Sequence, residues 1–506
     1  MPIRIALLAL TSCLAWATAG WAQPPKPCQS APHSSLAAQS GSALDADASA
    51  AEDAAAQAEW VSEGRACEAC PRRSVKRALL QTTFVVNLAY EVANLARGQV
   101  TARITPQTWW ANMKQGWVWD LDDFVVNQVG HPYQGNNYFN AGRSNGLSFY
   151  ESAAVTAFGS ATWEFYGETN HASLNDFINT TLGGVALGEI LHRAAWLVRN
   201  PQATGRDRLW SEIGATVLDP ITGLNRFASG DASRVTGRPD DLVPSDLEAA
   251  VAAGVLWRGS QTRGAQFAGQ PFVELDGLYG DLNQGRSRTP YDAFAVRLRM
   301  GGGSGISEAR VRGRLLAQPM GRRGQFAVVQ SYDFHSNDAY RYAAQSFDAT
   351  FLLTQPLSST TTMLLTGWGG VTALGAVDSL PVDLDKAPEK PPPSEDSPGQ
   401  GVSEGPRYYD YGPGSDFGVG ALFMRKNRSF ATLSYEGRHI YSLDGVRARH
   451  FLQRVRVDLL APLRGRLGLG ATGEYLSRHT YYQDAASTVR QYHYPQLRAY
   501  LTWSVH

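Results

Sequence analysis

The chain has 506 residues with 46 Lys and Arg against 46 Asp and Glu, and this zero formal charge argues against a nucleic-acid partner, which calls for a basic excess. Only 18% of residues are charged, 43% are hydrophobic, and there are 50 Gly, 21 Tyr and 13 Trp. That mixture does not suit a typical cytosolic enzyme, and outside the N-terminus no apolar run reaches the length of a spanning helix.

Residues 1–22 read as a cleaved signal peptide, with Arg4 before the apolar core IALLALTSCLAWATA and small residues at Gly20 and Ala22. A lipoprotein box at Leu10-Thr11-Ser12-Cys13 is the rival, disfavoured because the residues after Cys13 stay apolar. Residues 23–74 form a spacer rich in Ala, Ser, Asp, Gln and Pro, too poor in large apolar side chains to fold. Within it Cys67 and Cys70 are candidates for a small disulfide ring in an exported protein, ahead of redox catalysis, because no βαβ pattern flanks them. A zinc site would need a second ligand pair, and none stands at suitable spacing.

A helical domain is expected over 75–245. In its first helix, 75–97, Leu80, Phe84, Leu88, Val92 and Leu95 recur along one stripe, which fits an amphipathic packed or interfacial helix. Further helices are expected over 148–166 and 173–198, the second broken at Gly183-Gly184 and closed by Asn200-Pro201.

From about residue 246 to 506 the period changes to two. Leu497, Ala499, Leu501, Trp503 and Val505 alternate with polar residues, and 294–300, 308–315 and 450–459 repeat the pattern. A soluble sandwich also alternates. Segments near ten residues, Tyr and Trp near their ends and an export signal favour an antiparallel transmembrane β-barrel of about twelve strands. The Pro-rich stretch 378–405 reads as a long outer loop of that barrel.

A charge on the lipid face is costly, so Arg297, Arg299, Arg310, Arg312, Arg314, Arg454, Arg456 and Arg498 are expected to line the lumen. There they would either attract anions in a pore or pair with Glu274, Asp276, Glu308, Asp458 and Glu474 or with acidic groups of a helical plug; zero net charge favours pairing. In the helical half Glu189 and His192 form a Glu-x-x-His pair that could join Glu151 and Glu164 in a carboxylate-rich metal site. Two such pairs are needed and one is present, so structural ion pairs with Arg143, Arg193 or barrel arginines are favoured and no metal set is read. His131 is a candidate general base, set against the simpler role of ordering its Gly/Asn-rich loop.

Between Trp117 and Arg193 the strings VVNQVGHPYQG (125–135), YFNAGRSNG (138–146), WEFYGE (163–168), SLND (173–176) and GGVALGE (183–189) resemble a family known as a domain of unknown function, DUF3943. The resemblance implies an exported protein of Gram-negative bacteria and brings no activity with it. The sequence therefore describes an outer-membrane barrel with a helical plug or periplasmic domain. Its expected role is that of a channel or a structural component, ahead of an envelope enzyme acting on lipid or glycan and of a soluble periplasmic β-protein. No cofactor is implied. The expected partners are outer-membrane lipid and the barrel-assembly machinery, although the chain ends Trp503-Ser504-Val505-His506 where such strands usually close on an aromatic.

Overall fold

The computed structural model describes residues 73–506 apart from 121, 260–268, 283–284, 302–303, 338–339, 379–408, 427, 484–488 and 506. The signal peptide, Cys67 and Cys70 in the spacer, and the Pro-rich insert beyond Asp378 lie outside the described residues. Two compact units form: Val75–Arg143, Leu147–Leu191 and Pro244–His506 make one, and Ser144–Gly146 with His192–Val243 belong to the other.

The larger unit ends in twelve strands, β1 (Leu247–Arg258), β2 (Gly269–Tyr279), β3 (Phe294–Gly301), β4 (Ser304–Met320), β5 (Gly324–Asn337), β6 (Tyr340–Pro356), β7 (Thr361–Asp378), β8 (Tyr409–Arg425), β9 (Arg428–Tyr441), β10 (Ala448–Pro462), β11 (Leu467–Tyr482) and β12 (Val489–Ser504). Every sequential pair is antiparallel, and β12 returns to β1 with Val251 opposite Trp503, which closes the barrel. Closure leaves no edge of unpaired amides. Alternation sets the two faces. On β5 Asp333 meets Arg438 of β9, a strand on the far side of the ring, so Asp333 points into the lumen. Its neighbours Tyr332 and Phe334 point out. The same rule turns Leu433, Val455, Val457, Leu469, Leu497 and Leu501 outward, all exposed, as the apolar belt of an outer-membrane-type barrel.

The helices of this unit are α1 (Val75–Gln81) and α2 (Leu88–Ala96) joined by a π turn, Thr82–Asn87; α3 (Pro106–Gln115); a π turn, Val126–Gly130, leading into α4 (His131–Arg143); α5 (Phe149–Tyr166); and α6 (Leu174–Ile178), which runs through a third π turn, Asn179–Gly183, into α7 (Gly184–Val198), whose residues up to Leu191 belong here. Gly183-Gly184 thus marks a widened turn in a continuous helical path rather than a break. It also brings two backbones together. A Cβ on Gly184 would lie 2.5 Å from the Gly135 backbone, and one on Gly135 would lie 1.9 Å from the Thr180 carbonyl.

These helices do not plug the barrel. They pack on its outer wall, where Phe124 stacks on Phe334, Trp119 stacks on Tyr411, and Ala343, Leu374, Ala376 and Tyr409 complete one buried cluster. Polar bonds fix the register: Tyr332 donates to the Gln128 carbonyl, Gln330 Nε2 to the Leu182 carbonyl at 2.9 Å, and Gln128 Nε2 to the Tyr411 hydroxyl at 3.0 Å. The expectation of a plug or a separate periplasmic domain is corrected on this point for the helices of the larger unit. It missed the aromatic outer face of β5 and β8, which ordinary lipid-facing strands would not bury.

The smaller unit contains α8 (Gly205–Leu218) and α9 (Pro220–Ser229). Its centre is Glu212, which accepts from Arg199 Nε at 3.1 Å and Arg226 Nη2 at 2.8 Å and pairs with Arg208 at 3.0 Å; Arg199 and Arg226 both lie over the Trp196 ring.

Candidate functional site

The loop before Val126 and three helix ends meet at one buried point. His131 opens α4, Glu164 closes α5, and Asp176 stands in the first turn of α6, whose cap Ser173 accepts from the Asp176 amide at 3.2 Å. One ligand atom from each of His131, Glu164 and Asp176 lies within 4.8 Å of the other two. His131 Nε2 is 3.4 Å from Asp176 Oδ1, while its Nδ1 faces the Thr180 hydroxyl at 3.3 Å. Glu164 accepts the Ser173 amide on Oε2 at 2.8 Å, and its Oε1 is buried without a hydrogen-bond partner.

Around this trio the donors are neutral amides. Asn175 Nδ2 reaches Asp120 at 2.6 Å and Asp176 at 2.9 Å, and Asn127 Nδ2 reaches Asp120 at 3.0 Å and the Tyr409 hydroxyl of β8 at 2.8 Å. Tyr409 in turn donates to the Asp122 carbonyl at 2.6 Å, so the centre is tied to the barrel wall. Among the described residues no Lys or Arg pairs with Glu164 or Asp176. The surplus negative charge shows in the flanking loops: burial, then the charges of Asp122, Asp120 and Glu91, push Glu168 up to about 8, and burial with Asp120 and Asp123 pushes Asp122 up to about 6.

The other expected ligands scatter. Glu151 lies thirteen residues before Glu164 on the same helix, about 20 Å along its axis, and closes a capping box with Ser148. Glu189 pairs with Arg143 at 3.0 Å, and His192 Nδ1 meets Asp219 at 2.8 Å. Glu151, Glu164, Glu189 and His192 therefore do not converge, and Glu189 takes the favoured ion pair with Arg143; only Glu164 enters the centre, joined by His131, which stands on helix α4 and not in the expected Gly/Asn-rich loop. Asp176, Asp120, Asp122 and Glu168 were not among the candidates. Their signal is in the chain, because between Lys114 and Arg193 the only Lys or Arg is Arg143, against eight carboxylates.

In the barrel the eight arginines sit on acidic partners. Arg297 donates to Asp276 at 2.6 Å, Arg299 and Arg498 share Glu274, Arg314 meets Asp292 at 2.8 Å, and Arg456 meets Asp458 at 2.7 Å. Arg310 of β4 and Arg312 bind Asp333, and Arg310 crosses to Glu436 of β9 at 3.0 Å, which Arg454 also holds at 2.8 Å. A cavity of about 1710 Å³, lined by Asp246, Ser504 and the β8–β9 turn at the end holding the strand termini, reaches inward to Arg297, Arg310, Arg312 and Glu436. Beyond them, among the described residues, Tyr342, Val377, Ile440, Leu452, Leu476 and Tyr494 pack together inside the ring, and a cavity beside Arg438 and Arg454 measures about 30 Å³, room for a water or two.

Residues 116–221 match the family model of a domain of unknown function, DUF3943. No curated protein is similar to the chain in sequence. Among solved structures the chain is similar to the KdgM porin, with 7% identity and a TM-score of 0.24 over 51% of this chain and 99% of that one. It is similar to OmpTdeltaL8, an outer membrane protein of Vibrio cholerae, at 8% and 0.20 over 51% and 99%. To BamA from Haemophilus ducreyi lacking POTRA domains 1–3 it is similar at 10% and 0.21 over 47% and 42%.

Proposed function

From a DUF3943 domain built onto the wall of a closed twelve-stranded barrel, we infer that this protein is an outer-membrane scaffold, in which a sealed barrel holds a helical domain against its outer face among lipids. The observation that carries the reading is the bridged lumen: among the described residues Arg310, Glu436 and Arg454 link β4 to β9 and β10 across the ring, with an aromatic and aliphatic layer beyond. A conduit keeps its constriction open or movable, whereas opposite charges locked side by side and hydrogen-bonded leave no path for an ion to exchange its hydration shell. Lipid as the partner of the helices follows from their inverted pattern. Gln81, Thr82 and Glu91 are buried, while Phe84, Leu88 and Val92 on the same path are 64%, 53% and 56% exposed. Polar side chains turned inward and apolar ones outward are what a hydrocarbon solvent selects. The amphipathic stripe faces away from the packed helices, which favours the interfacial side of the sequence reading.

Planar-bilayer recording on the refolded full chain tests the seal. Quiet membranes at concentrations where an open porin gives stepwise currents are expected; stable unit conductances from the unmodified protein would return the channel reading to first place.

A further inference from the structure

We propose that His131, Glu164 and Asp176 form the binding site of a first-row divalent transition ion, a structural centre that pins the ends of α4, α5 and α6 to each other and, through Asn127 and Tyr409, to the barrel wall. It goes beyond the scaffold reading and stands whether or not the barrel conducts.

Three observations point at a cation. First, the ligand atoms come from three separate helix ends yet gather within 4.8 Å, with no Lys or Arg on Glu164 or Asp176 among the described residues. Two buried carboxylates at that separation repel each other, and an uncompensated buried charge is among the costliest features a fold can retain. Second, Glu164 is 1% exposed and its Oε1 has no hydrogen-bond partner, while His131 Nε2 has only the 3.4 Å contact to Asp176 Oδ1 and no hydrogen bond. Buried polar atoms are nearly always satisfied, so an unpartnered carboxylate oxygen on a residue of this trio points to a missing partner. Third, the outer ring is arranged as for a metal site. Thr180 holds the far nitrogen of His131, which fixes the ring, the Ser173 amide holds Oε2 of Glu164, and Asn175 orients Asp176 through Oδ1, the oxygen that faces His131. One imidazole with two carboxylates suits Zn²⁺ or Mn²⁺ better than Ca²⁺ or Mg²⁺, which prefer all-oxygen sites, and better than Cu⁺, which prefers sulfur.

The test is calorimetric titration of Zn²⁺ and Mn²⁺ into the chelator-treated full chain in detergent, with Cys13, Cys28, Cys67 and Cys70 changed to Ser so that thiols contribute nothing. One equivalent is expected, counted again as bound metal after desalting. Glu164→Gln and Asp176→Asn keep shape and remove buried charge, so the helical circular dichroism should survive while affinity falls about 100-fold or more, given that even outer-shell changes cost 10- to 100-fold. Co²⁺ in the unmutated site gives a visible spectrum that His131→Gln should alter, a readout on folded protein that needs no affinity change. Absence of any bound equivalent, the same equivalent retained by the Glu164→Gln/Asp176→Asn double variant, or tighter binding of Mg²⁺ or Ca²⁺ than of Zn²⁺ would each overturn the proposal.

Discussion

Glu168 and Asp122 give the metal-free domain a pH response whose sign runs against ordinary acid denaturation. Burial and the neighbouring carboxylates hold them at about 8 and about 6, above the ordinary range of a carboxyl group. The folded state then holds the protons more tightly than the unfolded chain does. The stabilisation is full below the unfolded values and is lost as pH rises through 6 and on to 8. The melting midpoint of the helical circular dichroism in metal-free protein should therefore fall between pH 5 and pH 8.5, and Glu168→Gln should flatten the fall; a midpoint that rises over that range refutes it. Part of this was legible in the chain. The long stretch from Lys114 to Arg193 with Arg143 as its one cation announces carboxylates that cannot all find basic partners. His131 was visible as a lone histidine. That it would meet Asp176, 45 residues on, depends on how α4 crosses the α6–α7 path at Gly135 and Gly184, and residue spacing carries no information about a crossing. Spacing along one helix proved misleading for the same reason, since it grouped Glu151 with Glu164 although about 20 Å of helix separates them.

At the scale of elements, the path α1–π turn–α2 decides between lipid and water. The periodic stripe of Leu80, Phe84, Leu88, Val92 and Leu95 is what a sequence offers for a helix that buries its apolar side, and here that side is the open one. Periodicity reports that a helix has two faces; only the surroundings say which face is solvated. Leu88→Asp separates the alternatives. In water a single exposed substitution away from any cap or core changes stability by roughly 0.5 kcal/mol or less. At the centre of a spanning helix a carboxylate costs about 2.5–3.5 kcal/mol, and an interfacial lipid-facing position takes part of that cost. The helical melting transition of the variant in lipid vesicles should drop by clearly more than the roughly 0.5 kcal/mol of an exposed aqueous site, and an unchanged transition would place this helix in water. The strands were easier to read than the helices because an alternating strand of a closed barrel has one apolar and one polar side wherever it sits in the ring. The exceptions are β5 to β8, where the outward Tyr332, Phe334, Ala343, Leu374, Ala376, Tyr409 and Tyr411 are covered by helices.

For the whole molecule the question is what keeps the ring sealed. The eight lumen arginines were visible as an alternating series, and the zero net charge already leaned toward pairing, but which acid serves which arginine follows from the register of the ring. Asp333 and Glu436 emerge as the hubs. Asp333 holds Arg310, Arg312 and Arg438, and Glu436 holds Arg310 and Arg454. Such pairs add little net stability, because the desolvation of each ion offsets most of its attraction. Their removal on one side is a different matter. In an Asp333→Asn/Glu436→Gln variant, Arg310 loses both carboxylates and Arg454 keeps only the 3.6 Å contact to Glu308. Breaking a buried pair in this way costs about 3–5 kcal/mol. The guanidinium groups would repel, water and anions would enter from the 1710 Å³ cavity, and the layer around Tyr342 and Leu452 would be the last barrier. Planar bilayers that stay quiet with the unmodified protein should then show anion-selective currents with the variant, steeper at low salt where the exposed cations are least screened. Silence from a correctly folded variant would assign the seal to the aromatic and aliphatic layer alone, and a further change of Tyr342→Ala in that background should then open it.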